Sequence, residues 1–249
     1  MDVWLIFFII VTIYALVITI LYFLRITRIP RKRKRVKSIP RELFIEVERI
    51  NGDIDSFRSA IIEKSLIGII LGRRGSEKTA LALRIAEALR GKKKIYAMGI
   101  SNAPRWIKII DNVDKAQPDS LLIVDEGAIL LGARASMKEL NKKFSNLMAI
   151  SRHRDLSLLI ITQNSAMLEV NTLRLADYLL IKKPSLLQSE MERPQIKKII
   201  GKADRAIPDE DFPKYCYIIS DYYEGLVKTS LPGFWSEKIS KSMKHTKNI

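Results

Sequence analysis

Short apolar runs alternate with helical patterns through the middle of the chain. Mainly apolar residues occupy five runs of four to eight positions, at 65–72, 95–100, 120–126, 156–163 and 178–181. Between them, apolar residues recur at the spacing of an amphipathic helix, at Leu81, Ile85, Ala88 and Leu89 and again at Met137, Leu140, Phe144, Leu147 and Met148. Short apolar strands separated by helices are typical of a parallel sheet that helices cover on both faces. The pattern therefore predicts an α/β fold with right-handed crossovers.

The pattern changes near the carboxyl terminus. Two segments, 215–220 and 226–230, contain several β-branched and aromatic residues and flank the stretch DYYEG. Two such segments around a short connection predict an antiparallel hairpin. We place this hairpin at the edge of the sheet.

The first residues of the chain have the pattern of a membrane segment. Residues 3–24 form an apolar stretch of 22 residues without charge, proline or glycine, with Trp4 and Tyr22 near its two ends. A helix of this length can cross a bilayer core of about 30 Å, and aromatic residues favour the membrane interface. We therefore expect a transmembrane helix within residues 1–24.

A basic segment follows this span directly. Eight Lys and Arg side chains lie within residues 25–37, whereas only Asp2 and the terminal amine precede the span. Because such charge stays on the cytoplasmic side, we expect a single-pass membrane protein with its amino terminus outside and its carboxyl-terminal domain in the cytoplasm. The predicted division is a membrane helix at 1–24, a basic linker at 25–40, a globular domain at 41–232 and a basic tail at 233–249.

Composition limits the chemistry of the globular domain. A single cysteine, Cys216, excludes an internal disulfide framework, and His153 and His245 are too few for the usual zinc ligand sets. Of the formal net charge of +16, residues 25–37 supply +8 and Asp2 supplies −1, so residues 38–249 hold +9. This remaining charge favours a partner that carries phosphates.

The turn after the first predicted strand has the pattern of a phosphate-binding loop. It reads GRRGSEKT and lies between a predicted strand and a predicted helix, the setting that this loop requires. In such a loop, backbone N–H groups surround the phosphates, a lysine neutralises the β- and γ-phosphate oxygens, and the next hydroxyl holds Mg²⁺. The predicted nucleotide-binding residues are Gly72, Arg73, Arg74, Gly75, Ser76, Glu77, Lys78 and Thr79.

A second predicted strand ends in two carboxylates, Asp125 and Glu126. Ligands of parallel sheets bind at this edge, beyond the carboxyl ends of the strands. We expect Asp125 to hold Mg²⁺ together with Thr79, and Glu126 to act as general base toward the attacking water. The alternative is that the two acids only cap the segment that follows.

A third predicted strand ends in Gln163, whose amide can hold the attacking water or contact the γ-phosphate. Polar residues at three strand ends, in the order Lys78 with Thr79, then Asp125 with Glu126, then Gln163, predict a P-loop NTPase that uses ATP and Mg²⁺. We expect the RecA-like variety, in which an extra strand lies between the Lys78 and Asp125 strands. Residues 95–100 are predicted to supply that strand.

These motifs resemble those of the HerA/FtsK class of DNA-pumping ATPases, and within it the zonula-occludens-toxin-like proteins of filamentous phages and related archaeal virus ATPases. The likeness rests on GRRGSEKTALA, LLIVDEGA and ISRHRDLSLLIITQNSAMLEVNTLRLADYLL, and covers about residues 65–183. It implies a homo-oligomeric ring, a hexamer, in which an arginine reaches the γ-phosphate of the neighbouring subunit. The candidates are Arg152 and Arg154, with Arg134 behind them. A solvated basic helix end is the alternative interpretation of these residues.

Glu77 departs from the loop pattern, because the position before the lysine is usually glycine. That position needs a backbone conformation that suits a side chain poorly, at a cost of about 1 to 3 kcal/mol. A carboxylate beside a triphosphate adds repulsion, which Arg73 and Arg74 can offset. We expect ATP still to be used, with a weakly active or inactive scaffold as the alternative.

The features together favour a membrane-anchored ATPase that moves DNA without sequence preference, for packaging, transfer or virion export. A second interpretation is an ATPase that drives the assembly or secretion of protein without gripping DNA.

Overall fold

The computed structural model describes residues 4, 12, 14–16, 43–100, 103–125, 137–163, 173–185 and 193–236. The chain divides into two compact units, residues 1–37 and 38–249. The described residues of the first unit are helical. No helix within the described ranges is both long and apolar enough to cross a bilayer. The predicted span falls largely, and the predicted linker entirely, outside those ranges, so both stay predictions.

The described part of the second unit contains one mixed sheet of nine strands. The strands are β1 (Ile45–Gly52), β2 (Ile67–Leu71), β3 (Lys94–Met98), β4 (Ile107–Ile109), β5 (Ser120–Asp125), β6 (Ser157–Ile161), β7 (Tyr178–Ile181), β8 (Tyr215–Ser220) and β9 (Tyr223–Lys228). Their order in the sheet is β1-β9-β8-β7-β2-β6-β5-β3-β4. The six strands from β7 to β4 are parallel, and β8, β9 and β1 extend the sheet by antiparallel pairs.

Helices cover both faces of this sheet. They are α1 (Ile54–Glu63), α2 (Lys78–Leu89), α3 (Met137–His153) and α4 (Pro194–Ala206). Neighbouring residues of a strand point to opposite faces, so that Ile70 packs with α1 and α2, whereas Leu71 packs with Phe144 of α3. The predicted α/β fold with buried parallel strands is therefore confirmed.

The carboxyl-terminal hairpin is confirmed as β8 and β9, but it does not form the edge of the sheet. β1 pairs with the outer side of β9 and is itself the edge strand. The sequence pattern does not predict β1, because most of its side chains are exposed and no apolar run marks it. Two irregularities in its pairing with β9 also interrupt the alternation of its residues.

An extra strand does lie between the Lys78 and Asp125 strands, but residues 95–100 do not supply it. That run forms β3, which lies on the far side of β5, and the strand between β2 and β5 is β6. The prediction was wrong because chain order alone does not determine strand order in a parallel sheet, where a crossover can return to either side. The strand that ends near Gln163 is therefore the neighbour of the phosphate-loop strand on the Asp125 side.

The segment after β9 packs across α2. Arg84 donates a hydrogen bond to the hydroxyl of Ser230 (3.1 Å), and the Glu87 carboxylate accepts one from the Gly233 N–H (3.1 Å). The ring of Phe234 meets Trp106 edge to face at 5.6 Å. The helix that follows the loop is thus held between the sheet and residues 230–234.

Candidate functional site

The loop between β2 and α2 comprises residues 72–77 and begins at Gly72, a position that has no room for a side chain. Gly72 has a φ of 149°, and a Cβ on it would lie 2.7 Å from the Cβ of Lys182 and 2.9 Å from the hydroxyl of Ser76. The chain therefore passes directly beside the end of β7. Gly75 also has a positive φ, 81°, but open space surrounds it.

Two side chains donate hydrogen bonds to carbonyl oxygens within the loop. The Lys78 ammonium donates to the carbonyl oxygens of Gly72 (2.8 Å) and Arg73 (2.9 Å), and the Ser76 hydroxyl donates to the Arg73 oxygen (2.8 Å). Within the described residues, none accepts a hydrogen bond from the backbone N–H of Arg74, Gly75 or Glu77. The Ser76 N–H between them donates to the Arg73 oxygen (3.3 Å). Backbone N–H groups of a loop at a helix N-terminus form a site for an anion such as phosphate.

The two loop arginines differ in their surroundings. The backbone N–H of Arg73 donates to the Lys183 oxygen (3.1 Å), and its guanidinium lies 4.0 Å from the centre of the Phe212 ring. Arg74 is exposed. The two side chains predicted to offset the Glu77 charge are therefore Arg73, which stacks on Phe212, and Arg74, which is exposed to solvent.

Glu77 has the left-handed conformation that the sequence predicts for this position, with φ 61° and ψ 33°. It is the N-cap of α2, but its side chain makes no capping hydrogen bond. In the described ranges, the other non-glycine residues with positive φ are all aspartates, at positions 119, 155 and 211. Aspartate tolerates this region better than residues with longer side chains do. Glu77 is therefore an unusual occupant of its place.

The strand register brings the predicted catalytic groups to one edge. Ile70 of β2, Ile161 of β6 and Asp125 of β5 lie level with one another, so about 10 Å separates the backbones of β2 and β5 there. Ile70 and Ile161 face α2, and Asp125 points the same way because level residues share a face. Gln163 lies two positions beyond Ile161, at the same edge.

Lys78, Thr79, Asp125 and Gln163 therefore belong to one neighbourhood, at the carboxyl edge of the parallel strands. Thr79 is partly buried in the first turn of α2, and Asp125 is partly buried at the end of β5. Glu126 lies outside the described residues, so its role as general base stays a prediction.

Arg152 and Arg154 lie at the opposite edge, just before β6 begins. A five-residue strand spans about 16 Å, so the structure does not bring either arginine to the loop of its own chain. Arg154 donates to the carbonyl oxygens of Val113, Asp114 and Ala116 at 2.9–3.1 Å, which fixes the turn before β5. Arg152 is half exposed and bonds the Leu175 oxygen (2.7 Å).

The two arginines are thus not equivalent candidates for action on a neighbouring subunit. Releasing Arg154 would break three backbone contacts, whereas Arg152 is held by fewer bonds. Their action across a subunit boundary stays a prediction, and Arg134 lies outside the described residues.

A cavity of about 460 Å³ opens on the other side of the loop, between α2 and the antiparallel part of the sheet. We call it the side cavity. Its walls come from the start of α2, the end of β7, the residues before β8 and the segment after β9; they include Glu77, Lys182, Asp211, Lys214, Thr229 and Ser230. Its volume lies within the range of small-molecule sites.

Lys182 is a buried cation in the wall of the side cavity, with only 1% of its surface exposed. Its ammonium donates to the Pro213 oxygen (2.6 Å) and the Thr229 hydroxyl (3.5 Å). Burial lowers the pKa of this ammonium, and the nearby Cys216 and Glu77 offset part of the shift. Lys183 has a different role, because its ammonium bonds the carboxylates of Asp204 (3.2 Å) and Asp209 (2.9 Å).

Sequence reasoning missed Lys182, although a signal was present. The run YLLI is followed directly by Lys182 and Lys183, at the same sheet edge as Asp125. A pair of charged residues after a buried parallel strand indicates a candidate site residue, whether the pair is acidic or basic. The rest of the side cavity comes from segments distant in sequence, which carry no motif.

No protein-family model and no curated protein matches the sequence. In fold, the chain is similar to the conjugation coupling protein TcpA of pCW3, solved as a monomer with ATPγS, at 14% identity and a TM-score of 0.51, over 86% of this chain and 73% of that chain. It is also similar to the DNA-packaging ATPase B204 of Sulfolobus turreted icosahedral virus (17% identity, TM-score 0.49, 67% of this chain and 98% of that one). A third similar structure is the cytoplasmic domain of the type VII secretion ATPase EccC of Thermomonospora curvata (15% identity, TM-score 0.46, 82% and 30%).

At these identities the likeness concerns the fold. The chain has the fold of P-loop ATPases, and the resemblance to the HerA/FtsK class is confirmed at that level.

Proposed function

We propose that this chain is an ATPase that binds MgATP at residues 72–79 and hydrolyses it. The observation that carries the proposal is the register across β2, β6 and β5, which aligns the loop strand with Asp125 on one edge and one face of the sheet. A phosphate loop without an acid at that place could bind a nucleotide, but it would lack the second half of a hydrolytic site.

The sheet order supports one direction for the bound nucleotide. Asp125 and Gln163 lie on the β6 and β5 side of the loop, where the γ-phosphate would be attacked. On this proposal the nucleoside extends to the other side of the loop, toward β7 and β8. The side cavity lies there and is open to accept it.

The residues at the loop also fit a magnesium ion. Mg²⁺ prefers hard oxygen ligands and usually keeps several waters in phosphate sites, and the Thr79 hydroxyl and the Asp125 carboxylate are ligands of this kind. When bound, the ion would neutralise developing charge on the phosphates. Lys78 would contribute a second positive charge from the loop side.

We further propose DNA as the cargo, with the amino-terminal residues 3–24 anchoring the ATPase at a membrane and its domain on the cytoplasmic side. In support, residues 38–249 carry a formal charge of +9. The helices on the face opposite α2 expose basic side chains, at Lys142, Lys143, Lys197, Lys198 and Arg205. TcpA, which is similar in fold, is a conjugation coupling protein.

The ATPase proposal is tested by turnover of Mg-ATP by the full-length protein in detergent. We expect Lys78→Ala and Asp125→Asn each to lower kcat by about 100-fold or more, since each removes a group that stabilises charge on the phosphates. The control is Lys108→Ala, which removes an exposed lysine on β4 and leaves turnover unchanged. Wild-type turnover no higher than that of Lys78→Ala would exclude hydrolysis and favour an inactive scaffold.

The DNA proposal is tested in the same assay with duplex DNA. We expect DNA to stimulate turnover, and the stimulation to weaken steeply between about 50 and 200 mM salt, because phosphate contacts release counterions. The double variant Lys197→Ala/Lys198→Ala should need more DNA for the same stimulation. If DNA does not change the rate of ATP hydrolysis at any salt concentration, the result would favour an ATPase for protein assembly or secretion.

A further inference from the structure

Glu77 belongs to the side cavity rather than to the catalytic edge. It lines the cavity together with Lys182 and Asp211. Its carboxylate is also one of the charges that act on the Lys182 ammonium. The residue that departs from the loop pattern therefore has a defined place on the nucleoside side of the loop.

The position of Glu77 in the chain decides which part of a nucleotide it would meet. It directly precedes Lys78, so it lies at the phosphate end of the side cavity. Pro213 and Leu231 bound the cavity elsewhere. The group that follows the phosphates in a nucleotide is the ribose, and the base lies beyond it. If the nucleoside occupies the side cavity, as proposed above, the ribose is its first group to enter, and Glu77 lies at that end of the cavity.

The chemistry of the side chain fits that neighbour. An ionised carboxylate only accepts hydrogen bonds, and the ribose hydroxyls are the donors nearest to the phosphates. In the dinucleotide-binding α/β fold, an Asp or Glu accepts a hydrogen bond from the ribose 2′-hydroxyl in this way. Lys182 offsets the repulsion between Glu77 and the phosphates, because its buried ammonium lies in the same cavity.

We propose that Glu77 is a specificity-determining residue that accepts a hydrogen bond from the 2′-hydroxyl of the nucleotide, so that the chain selects ribonucleoside over 2′-deoxyribonucleoside triphosphates. The left-handed backbone conformation at Glu77 then directs its carboxylate toward the ribose. This inference rests on the proposed function and assigns the sugar subsite of the same nucleotide.

The test compares ATP with 2′-deoxy-ATP on the full-length protein, first as the ratio of kcat/KM. A hydrogen bond to a charged group contributes roughly tenfold or more in discrimination, so wild type should prefer ATP by about that factor. Glu77→Gly should bring the ratio close to one. The control outside the cavity is Glu63→Gln, which changes an exposed carboxylate at the end of α1 and should keep the wild-type ratio. Asp211→Asn removes the other carboxylate of the cavity wall, and a loss of the preference in this variant instead of in Glu77→Gly would overturn the assignment to Glu77.

Binding provides a readout that does not depend on hydrolysis. Calorimetric titration with a non-hydrolysable ATP analogue and with its 2′-deoxy form should show the same preference in wild type and the same loss in Glu77→Gly. Equal use of ATP and 2′-deoxy-ATP by wild type, or a preference that Glu77→Gly retains, would overturn the role of Glu77 while leaving the ATPase proposal intact. Absence of binding to either nucleotide in every variant would overturn both.

Discussion

At the scale of single residues, Glu77 carries a conformational cost that can be measured apart from its chemistry. A side chain in the left-handed region costs roughly 1–2 kcal/mol, whereas an exposed charge such as Glu77 contributes less than about 1 kcal/mol through its attraction to Lys182. Strain therefore outweighs attraction. We predict that Glu77→Gly raises the free energy of unfolding by about 1 kcal/mol in urea titrations of the full-length protein.

The matched control is Asp155→Gly. Asp155 has a similar φ of 55°, but a short acidic side chain is better tolerated in that region. Its replacement should stabilise the protein less than Glu77→Gly does. A loss of stability in Glu77→Gly would mean that the attraction to Lys182 exceeds the backbone strain.

At the scale of one element, the phosphate loop contains two glycines that should respond differently to a methyl group. Gly72→Ala brings a Cβ within 3 Å of both Lys182 and Ser76, so we predict a loss of about 2–4 kcal/mol from overpacking together with backbone strain. Gly75→Ala meets nothing within 4 Å and should cost only about 1 kcal/mol of strain.

Urea titrations of the two variants check this prediction. Equal losses would show that the contact between Gly72 and the end of β7 contributes little. A larger loss in Gly75→Ala would contradict the packing of the loop against β7.

The elements also show where sequence reasoning succeeds and where it stops. Buried strands such as β2 and β7 are predictable because an uninterrupted apolar run is needed to bury both faces of a sheet. The conformation at Glu77 is predictable because local sterics decide it. The place of β6 between β2 and β5 is not, since the direction of a crossover depends on tertiary packing. The position of Lys182 at a strand end can be recognised in the sequence, but its role cannot, because its partners Pro213 and Thr229 lie far from it along the chain.

At the scale of the whole molecule, burial of two weak acids makes stability fall in alkaline solution. Burial raises the pKa of the Cys216 thiol from 9.0 to about 12, and it raises the pKa of the Tyr178 phenol well above its usual 10.0. At a pH between the unfolded and the folded pKa, each group is ionised in the unfolded chain but still protonated in the folded protein. Their contribution is therefore complete below pH 9 and is lost as the pH rises toward the folded values.

Comparison with Tyr178→Phe isolates one of these groups. Buried Lys182 and Lys93 have lowered pKa values and act in the opposite direction up to about pH 10.5, so the variant is more informative than the wild-type curve alone. We predict that wild type loses about 1 kcal/mol more than Tyr178→Phe between pH 8 and pH 11 in urea titrations. The difference between the two proteins should stay constant from pH 7 to pH 8. Parallel losses up to pH 11 would mean that the phenol ionises equally in both states.

The sheet order divides the proposed nucleotide site between two parts of the molecule. The parallel strands β5 and β6 carry the groups proposed to act on the γ-phosphate, while β7, the β8–β9 hairpin and the segment after it enclose the side cavity. Substitutions in the hairpin region can therefore alter which nucleotide is accepted without touching the groups that cleave it. Under the proposed function, nucleotide preference and hydrolysis depend on different parts of the sheet, so each can change without the other.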